Sequence, residues 1–291
     1  MASVVNIKDV QIKIPPYLLV EFFYKQNVFL IIIHRLCNPW IILSMGRIDS
    51  MLHRLFPFMF NRETRGGASP LIDSISTGDA HGIEDISDHI ERHIGPIDSV
   101  FHELISPEVH IDVHIVAANA ERPFHTLVTS GMSEIDMPVP KEIVDYQYAE
   151  VMICLPKEWP ILAIKATPAK GEELNHWWPV RTLRFTARYP HLAKTWLYLD
   201  HTLGNEKERP YAPSTQMCAT ILANPKTIKP MARTMRSRNG KRIQLWAVVP
   251  IYQEELDLKL KRGAKELNAR FEKHGINEIL DPSRINVALE A

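Results

Sequence analysis

The sequence is poor in cysteine: Cys37, Cys154 and Cys218 are an odd number, widely spaced and in no CxxC pattern. That disfavours both a disulfide framework and a structural zinc knuckle, and it leads us to expect buried free thiols in a reducing compartment, the cytoplasm. Net charge is also lacking, since 34 Lys and Arg balance 34 Asp and Glu. No global field therefore draws the chain to nucleic acid or an anionic membrane. Long hydrophobic runs are missing as well. The most apolar region, Val20 to Met45, is interrupted by Glu21, Lys25, His34, Arg35 and Pro39, and it never reaches the roughly 18 uncharged residues that a spanning helix needs. A secretory leader is a poor match, because Pro15-Pro16 precedes the apolar part and no small-residue cleavage site follows it. There is no GxSxG elbow, no phosphate-binding P-loop and no GxGxxG fingerprint, so the commonest nucleophile and nucleotide signatures are excluded. Internal repeats and low-complexity tracts are absent too.

What is present is an ordinary globular composition, 45% hydrophobic over 291 residues, enough for one large or two ordinary domains. Charge is distributed unevenly. Residues 1–62 hold seven basic and three acidic side chains, and residues 225–242 hold seven basic and none acidic, leaving 31 acidic against 20 basic elsewhere. Such an acidic body suits a basic partner or a solvated surface.

Strict alternation runs through Val109-His110-Ile111-Asp112-Val113-His114-Ile115. It predicts a half-buried strand with Val109, Ile111, Val113 and Ile115 in a core and His110, Asp112 and His114 on the other face. Two more strands are expected at Pro123 to Ser130 and Ala149 to Leu155, the three forming a meander. Ile83, Ile86, Ile90 and Ile94 recur at helical spacing before Gly95-Pro96, a stop signal. Trp177, Val180, Leu183 and Tyr189 suggest a second helix starting near Trp178, with Pro179 in its first turn and Pro190 ending it. Thr195 to His201 and Thr215 to Leu222 read as strands on either side of the turn-rich Gly204 to Pro213, and Ile243 to Ile251 reads as a central strand. Leu256, Leu260, Ala264, Leu267 and Phe271 trace one stripe of a last helix, Glu254 to His274. The fold class expected is α+β, with mixed or antiparallel sheets and flanking helices.

Metal chemistry is the tempting reading of His110, Asp112 and His114. Alternate residues on one strand face lie about 6.5 to 7 Å apart, so the two histidines sit too far apart to share an ion without ligands from a neighbouring strand, where His125 and Glu150 are the candidates. His89 and His93, four apart on a helix, lack the glutamate of an HExxH frame and fit a solvated edge better. Ser130-Gly131-Met132-Ser133 reads as a turn rather than a nucleophile. The basic stretch Lys226 to Arg242 contains Asn239-Gly240, a hairpin-tip signal, and reads as an exposed hairpin; an arm for an acidic partner is the functional alternative. Nucleic acid is not expected there because stacking aromatics are missing.

Three motifs in order, His110-Ile111-Asp112-Val113, Leu127-Val128-Thr129-Ser130-Gly131-Met132-Ser133 and Glu150-Val151-Met152-Ile153-Cys154-Leu155-Pro156, resemble the bacterial branch of the Suppressor-of-fused (SUFU-like) domain family. The resemblance continues at Gly95-Pro96, Phe101-His102-Glu103-Leu104 and Val249-Pro250-Ile251-Tyr252-Gln253-Glu254-Glu255-Leu256, so it covers residues 72–285. It implies a SUFU-like domain over residues 67–291, after an apolar N-terminal extension over residues 1–66. For that extension an interfacial anchor, a partner-binding segment and a mis-annotated start, with Met45, Met51 or Met59 as the true one, stay open, and the last is favoured. The resemblance further implies a non-enzymatic protein-binding module that needs no cofactor. Its eukaryotic relatives hold Gli transcription factors in Hedgehog signalling by clamping an extended peptide, and bacterial members are proposed immunity proteins against polymorphic toxins. In the eukaryotic relatives Ala-Arg-Tyr is followed about a dozen residues later by Asp-His, in the peptide-binding region. Here Ala187-Arg188-Tyr189 is followed by Asp200-His201, which makes Tyr189, Asp200 and His201 the candidate partner-binding residues. The expected partner is another protein or an extended peptide such as a toxin segment. The rival expectation is a metal-dependent enzyme using the His110, Asp112 and His114 face.

Overall fold

The computed structural model describes backbone and side chains over residues 82–103, 109–161, 175–205 and 208–290, with helix backbone at the margins and strand backbone alone between residues 3 and 45. The side chains of the extension over residues 1–66, on which an interfacial anchor or a partner-binding segment would rest, lie outside the described residues.

The chain runs α1 (Ala80–His93), β1 (Ile97–Glu103), β2 (Asp112–Val116), β3 (Phe124–Ser130), β4 (Tyr148–Pro156), α2 (Glu172–Leu192), β5 (Thr202–Gly204), β6 (Ala219–Ala223), β7 (Thr234–Arg236), β8 (Arg242–Ile251), α3 (Gln253–Arg262) and α4 (Ala264–Lys273). These eight strands belong to one mixed sheet and follow in it the order β5-β6-β8-β4-β3-β2-β1, beyond which the strand backbone Leu18–Lys25 pairs antiparallel with β1. β6 pairs with the second half of β8, and β7 with its first three residues on the same side. Only β4 and β8 run parallel, with Ile243 opposite Tyr148. The expected α+β class with flanking helices is what the chain adopts. The meander β2-β3-β4 is antiparallel throughout, with Val113 opposite Thr129 and Leu127 opposite Ile153.

Helices cover both faces of this sheet. α2 lays Trp177, Trp178, Val180, Leu183 and Ala187 on Val113, Ile115, Leu127, Val151 and Ile153. α1 lays Ile86 and Ile90 on Val116, Val128, Met152 and Cys154. Leu267 and Phe271 of α4 close the far end over Ala219, Ile221, Val249 and Ile251. A strand between two layers of helix has no solvent face, which is why the strand read as half-buried is buried on both sides: Asp112 is 1% and His114 2% exposed. β2 also starts only at Asp112, so Val109 and Ile111 enter the core ahead of the strand, with His110 between them only partly buried.

Four other expectations change. α2 begins at Glu172, so Pro179 lies about two turns inside it and Pro190 precedes its last two residues. Burial of the Trp177 and Trp178 stripe fixes the helix despite the broken ladder bond at Pro179. Thr195 to His201 is irregular, and the strand next to β6 is Thr202–Gly204. The expected single helix from Glu254 to His274 is two, because Gly263 takes φ 87°, ψ 162°, outside any helical region; Leu260, in the predicted stripe, is left 67% exposed. The basic stretch is the expected hairpin, β7 and β8 with Gly240 at φ 85° near the tip, but it is no free arm. Arg238 binds Asp85 and Glu84 of α1, and Lys241 Nζ donates to the carbonyls of Ser133 and Glu134 at 3.1 and 2.9 Å.

Buried carboxylates fasten the loops to this frame. Glu150 Oε1 accepts from Gly131 N (3.0 Å), Ser133 N (2.9 Å) and Ser133 Oγ (2.7 Å), while Thr129 Oγ1 donates to Oε2 at 2.6 Å. Ser130 to Ser133 is accordingly a turn, and Gly131 (φ 111°) brings its backbone so close to His110 that a Cβ there would stand 1.8 Å from the His110 carbonyl oxygen. Glu255, in the first turn of α3, takes both Arg284 nitrogens at 2.6 Å as well as the amides of Tyr252 and Val287 at 3.0 and 3.1 Å. Among the described residues no helix is long and apolar enough to cross a membrane.

Candidate protein-binding surface

The end of the sheet at β5 is shaped by the segment that joins it to α2. Within Ala187-Arg188-Tyr189 the three side chains go different ways. Ala187 is in the core, Arg188 reaches the buried Glu103 carboxylate, and the half-buried Tyr189 sets its ring 5.8 Å from Phe185, one turn back on the same helix. After the helix, Lys194 (φ 51°) and Asp200 (φ 66°) turn the chain through left-handed conformations, which Asp tolerates better than most residues because its side chain bonds locally. Asp200 N donates to Leu222 O and Leu222 N to His201 O, both at 2.9 Å, so the Asp-His pair is clamped to β6 immediately before β5 begins. Asn268 of α4 donates to the Asp200 carboxylate at 2.9 Å.

His201 faces Trp196 and Tyr198, with ring centroids 6.2 and 6.4 Å away. Burial lowers its pKa, against the pull of the Trp196 carbonyl and Asp200. Tyr198 in turn meets Tyr146 edge-on at 4.9 Å and Trp246 at 5.5 Å, and the Arg242 guanidinium sits 4.8 Å over the Tyr146 ring. Asp200 and His201 therefore belong to an aromatic surface assembled from three segments, whereas Tyr189 is engaged with its own helix. Sequence reasoning missed Trp196, Tyr198, Tyr146, Trp246 and Arg242. Two signals were present, the aromatic density of Thr195 to His201 and the Tyr146-Gln147-Tyr148 triplet.

The rival face has a different organisation. Asp112 accepts from His102 Nδ1 and His110 Nε2, both at 2.8 Å, and from Glu103 N at 2.9 Å. Burial would raise its pKa, but these two imidazoles outweigh it and hold the carboxyl well below the ordinary range. His110 is raised in return: its bond to Asp112 overrides desolvation. His114 bonds Ser130 Oγ at 2.9 Å and is driven down to about 4 by burial. Neither member of that Ser-His pair reaches solvent. The neighbouring-strand candidates are committed as well, Glu150 to the turn and His125 to the carbonyl of Lys157. His89 is drawn off the solvated edge by a 2.8 Å bond to the Ala232 carbonyl. Among the described residues no group of three His, Cys, Asp or Glu could hold a metal ion, so the metal-enzyme reading gains no support here.

A profile of the Suppressor of fused protein (SUFU) family matches residues 107–285. None of the curated proteins matches the chain. Among solved structures the chain is similar to a protein described as a SUFU homolog from Neisseria gonorrhoeae FA 1090, at 17% identity and TM-score 0.51, over 76% of this chain and all of the other. It is also similar, at 13% identity in each case, to a Sufu-Fu complex structure (TM-score 0.45, 71% of this chain and 92% of the other) and to Drosophila Suppressor of Fused (TM-score 0.48, 71% of this chain and 51% of the other). The family profile spans more than half of the sequence and contains the meander, α2, the Asp-His turn and the central strand β8: the chain belongs to the Suppressor of fused protein family.

Proposed function

We propose that this protein is a non-enzymatic binding module that takes an extended segment of another protein at the β5 end of its sheet. The observation that carries the reading is the clamped Asp200-His201 turn beside a three-residue strand at the end of the sheet order, with half-exposed aromatics next to it. An incoming strand gains main-chain hydrogen bonds from such an edge, and side-chain pockets give selectivity. Asp200 supplies a charge for a Lys, Arg or His on the partner, and Tyr189 supplies an aromatic body with a polar tip at the end of α2. The resemblance to bacterial SUFU-like domains supports a cytoplasmic immunity protein as the finer role, with a toxin as partner.

The test is capture of the partner from the native host, followed by calorimetry with wild type and Asp200→Asn. Asparagine tolerates the left-handed backbone and keeps an oxygen for Asn268 while removing the charge. Affinity should fall by about 10- to 100-fold, the value of a charge-assisted hydrogen bond. Equal affinity of a folded Asp200→Asn would remove the Asp200 site. A captured toxin whose activity the protein leaves intact would remove the immunity role.

A further inference from the structure

Folding brings together three groups that lie far apart in sequence: the guanidinium of Arg242 and the hydroxyl-bearing rings of Tyr146 and Tyr198. Arg242 stands over the Tyr146 ring at 4.8 Å, and among the described residues its guanidinium makes one hydrogen bond, from Nη1 to the Asp145 carbonyl at 2.8 Å. No carboxylate among the described residues neutralises it, and the rest of its fork points to no protein acceptor there. Tyr198 meets Tyr146 at right angles, 4.9 Å between centroids. Desolvation and the Tyr146 hydroxyl raise the pKa of the Tyr198 hydroxyl while Arg242 lowers it, so all three polar groups lie within one another's field. Trp246 is the floor, 5.8 Å from Tyr146 and 5.5 Å from Tyr198. The three groups above it are half-exposed.

To an anion this cluster offers donors: a planar cationic fork held in place on an aromatic face, and beside it phenolic O–H groups, which can donate as well as accept. A carboxylate matches the fork, and the phenols can complete its oxygen lone pairs. We propose that Arg242, Tyr146 and Tyr198 form a carboxylate-binding site that receives an acidic side chain or the C-terminal carboxylate of the bound protein. The inference rests on the protein-binding reading, and it extends the surface past His201, which Tyr198 adjoins. A partner peptide would then carry opposite charges at its two ends, a cation for Asp200 and an anion for Arg242.

The test uses the full chain and three short probes: acetyl-Gly-Glu-Gly-amide, acetyl-Gly-Gly-Gly with a free carboxylate, and acetyl-Gly-Gln-Gly-amide as the neutral control. The readout is the indole N–H resonance of Trp246, one of six in the protein, assigned with Trp246→Phe. A saturable shift with one or both carboxylate probes and none with the control is expected, and the stronger of the two tells side chain from chain end. Arg242→Gln should weaken it about tenfold, Arg242→Lys should keep part of it, and Tyr198→Phe should fall between. No saturable shift with either carboxylate probe, an equal shift with the glutamine control, or undiminished binding by an Arg242→Gln protein whose other indole signals are unmoved would overturn the proposal. The probes carry neither a strand nor a cation and so report on the Arg242 cluster alone, while calorimetry with the captured partner reports on Asp200, so failure here is distinguishable from failure of the Asp200 reading.

Discussion

Replacing Glu255 by glutamine tests whether buried charge pairs fasten the C-terminal segment of this fold. Glu255 is fully buried and its partner Arg284 is 9% exposed, the two joined by paired 2.6 Å bonds. Arg284 donates further to the carbonyls of Pro250 and Ile285 and lies over the rings of Tyr252 and Phe271, so it cannot swing out to water without dismantling its surroundings. Glutamine can retain the Tyr252 amide bond but leaves the guanidinium unneutralised. Breaking one side of a buried pair costs about 3 to 5 kcal/mol, and the retained bonds put Glu255→Gln near ~3 kcal/mol. For a domain of this size each kcal/mol moves the midpoint by about 2 to 4 °C, so Tm should drop by roughly 6 to 12 °C. Thermal unfolding followed by circular dichroism measures it. The Glu255→Gln, Arg284→Met double variant should recover part of the loss, because no unpaired charge is then left buried. A single-variant drop under ~2 °C, or a double variant as unstable as the two singles added, would refute the argument.

His114, buried and held at about 4, stays neutral in the folded chain while the unfolded chain protonates near its ordinary value. Folding stability should therefore fall as pH drops from about 6.5 to about 4, by at most ~3 kcal/mol, and His114→Gln should flatten that slope in denaturant titrations; an unchanged slope contradicts the assignment. Asp112, held low, adds stability that is lost only further into acid as its carboxyl protonates. Gly131→Ala would drive a methyl into the His110 carbonyl, whereas Gly240→Ala meets open space at a similar φ. The first should unfold or lose several kcal/mol and the second only about 1 to 2 kcal/mol, so comparable chemical-denaturation midpoints would show that the close approach is not what fixes Gly131.

Local pattern was enough for the elements whose periodicity matches their surroundings. The isoleucines of α1 at helical spacing, the stop at Gly95-Pro96, the meander and the uninterrupted apolar β8 were all legible, because burial of one stripe or one strand is written in residue order. The motifs around Asp112, Gly131 and Glu150 placed the family for the same reason: each is a short contiguous run. Contacts between distant segments were not legible. Alternation at Val109 to Ile115 could not say that a second helical layer covers His114, nor could the stripe across Gly263 say that the glycine breaks the helix. The surface at Asp200 shows the same limit. The Asp-His turn could be picked out in the sequence, but the joining of Tyr146, Tyr198, Trp246 and Arg242 around it depends on β4 and β8 lying parallel and on the chain after α2 folding back along β6. Side chains that meet across such separations share no sequence period, so only the tertiary structure determines that they stand together.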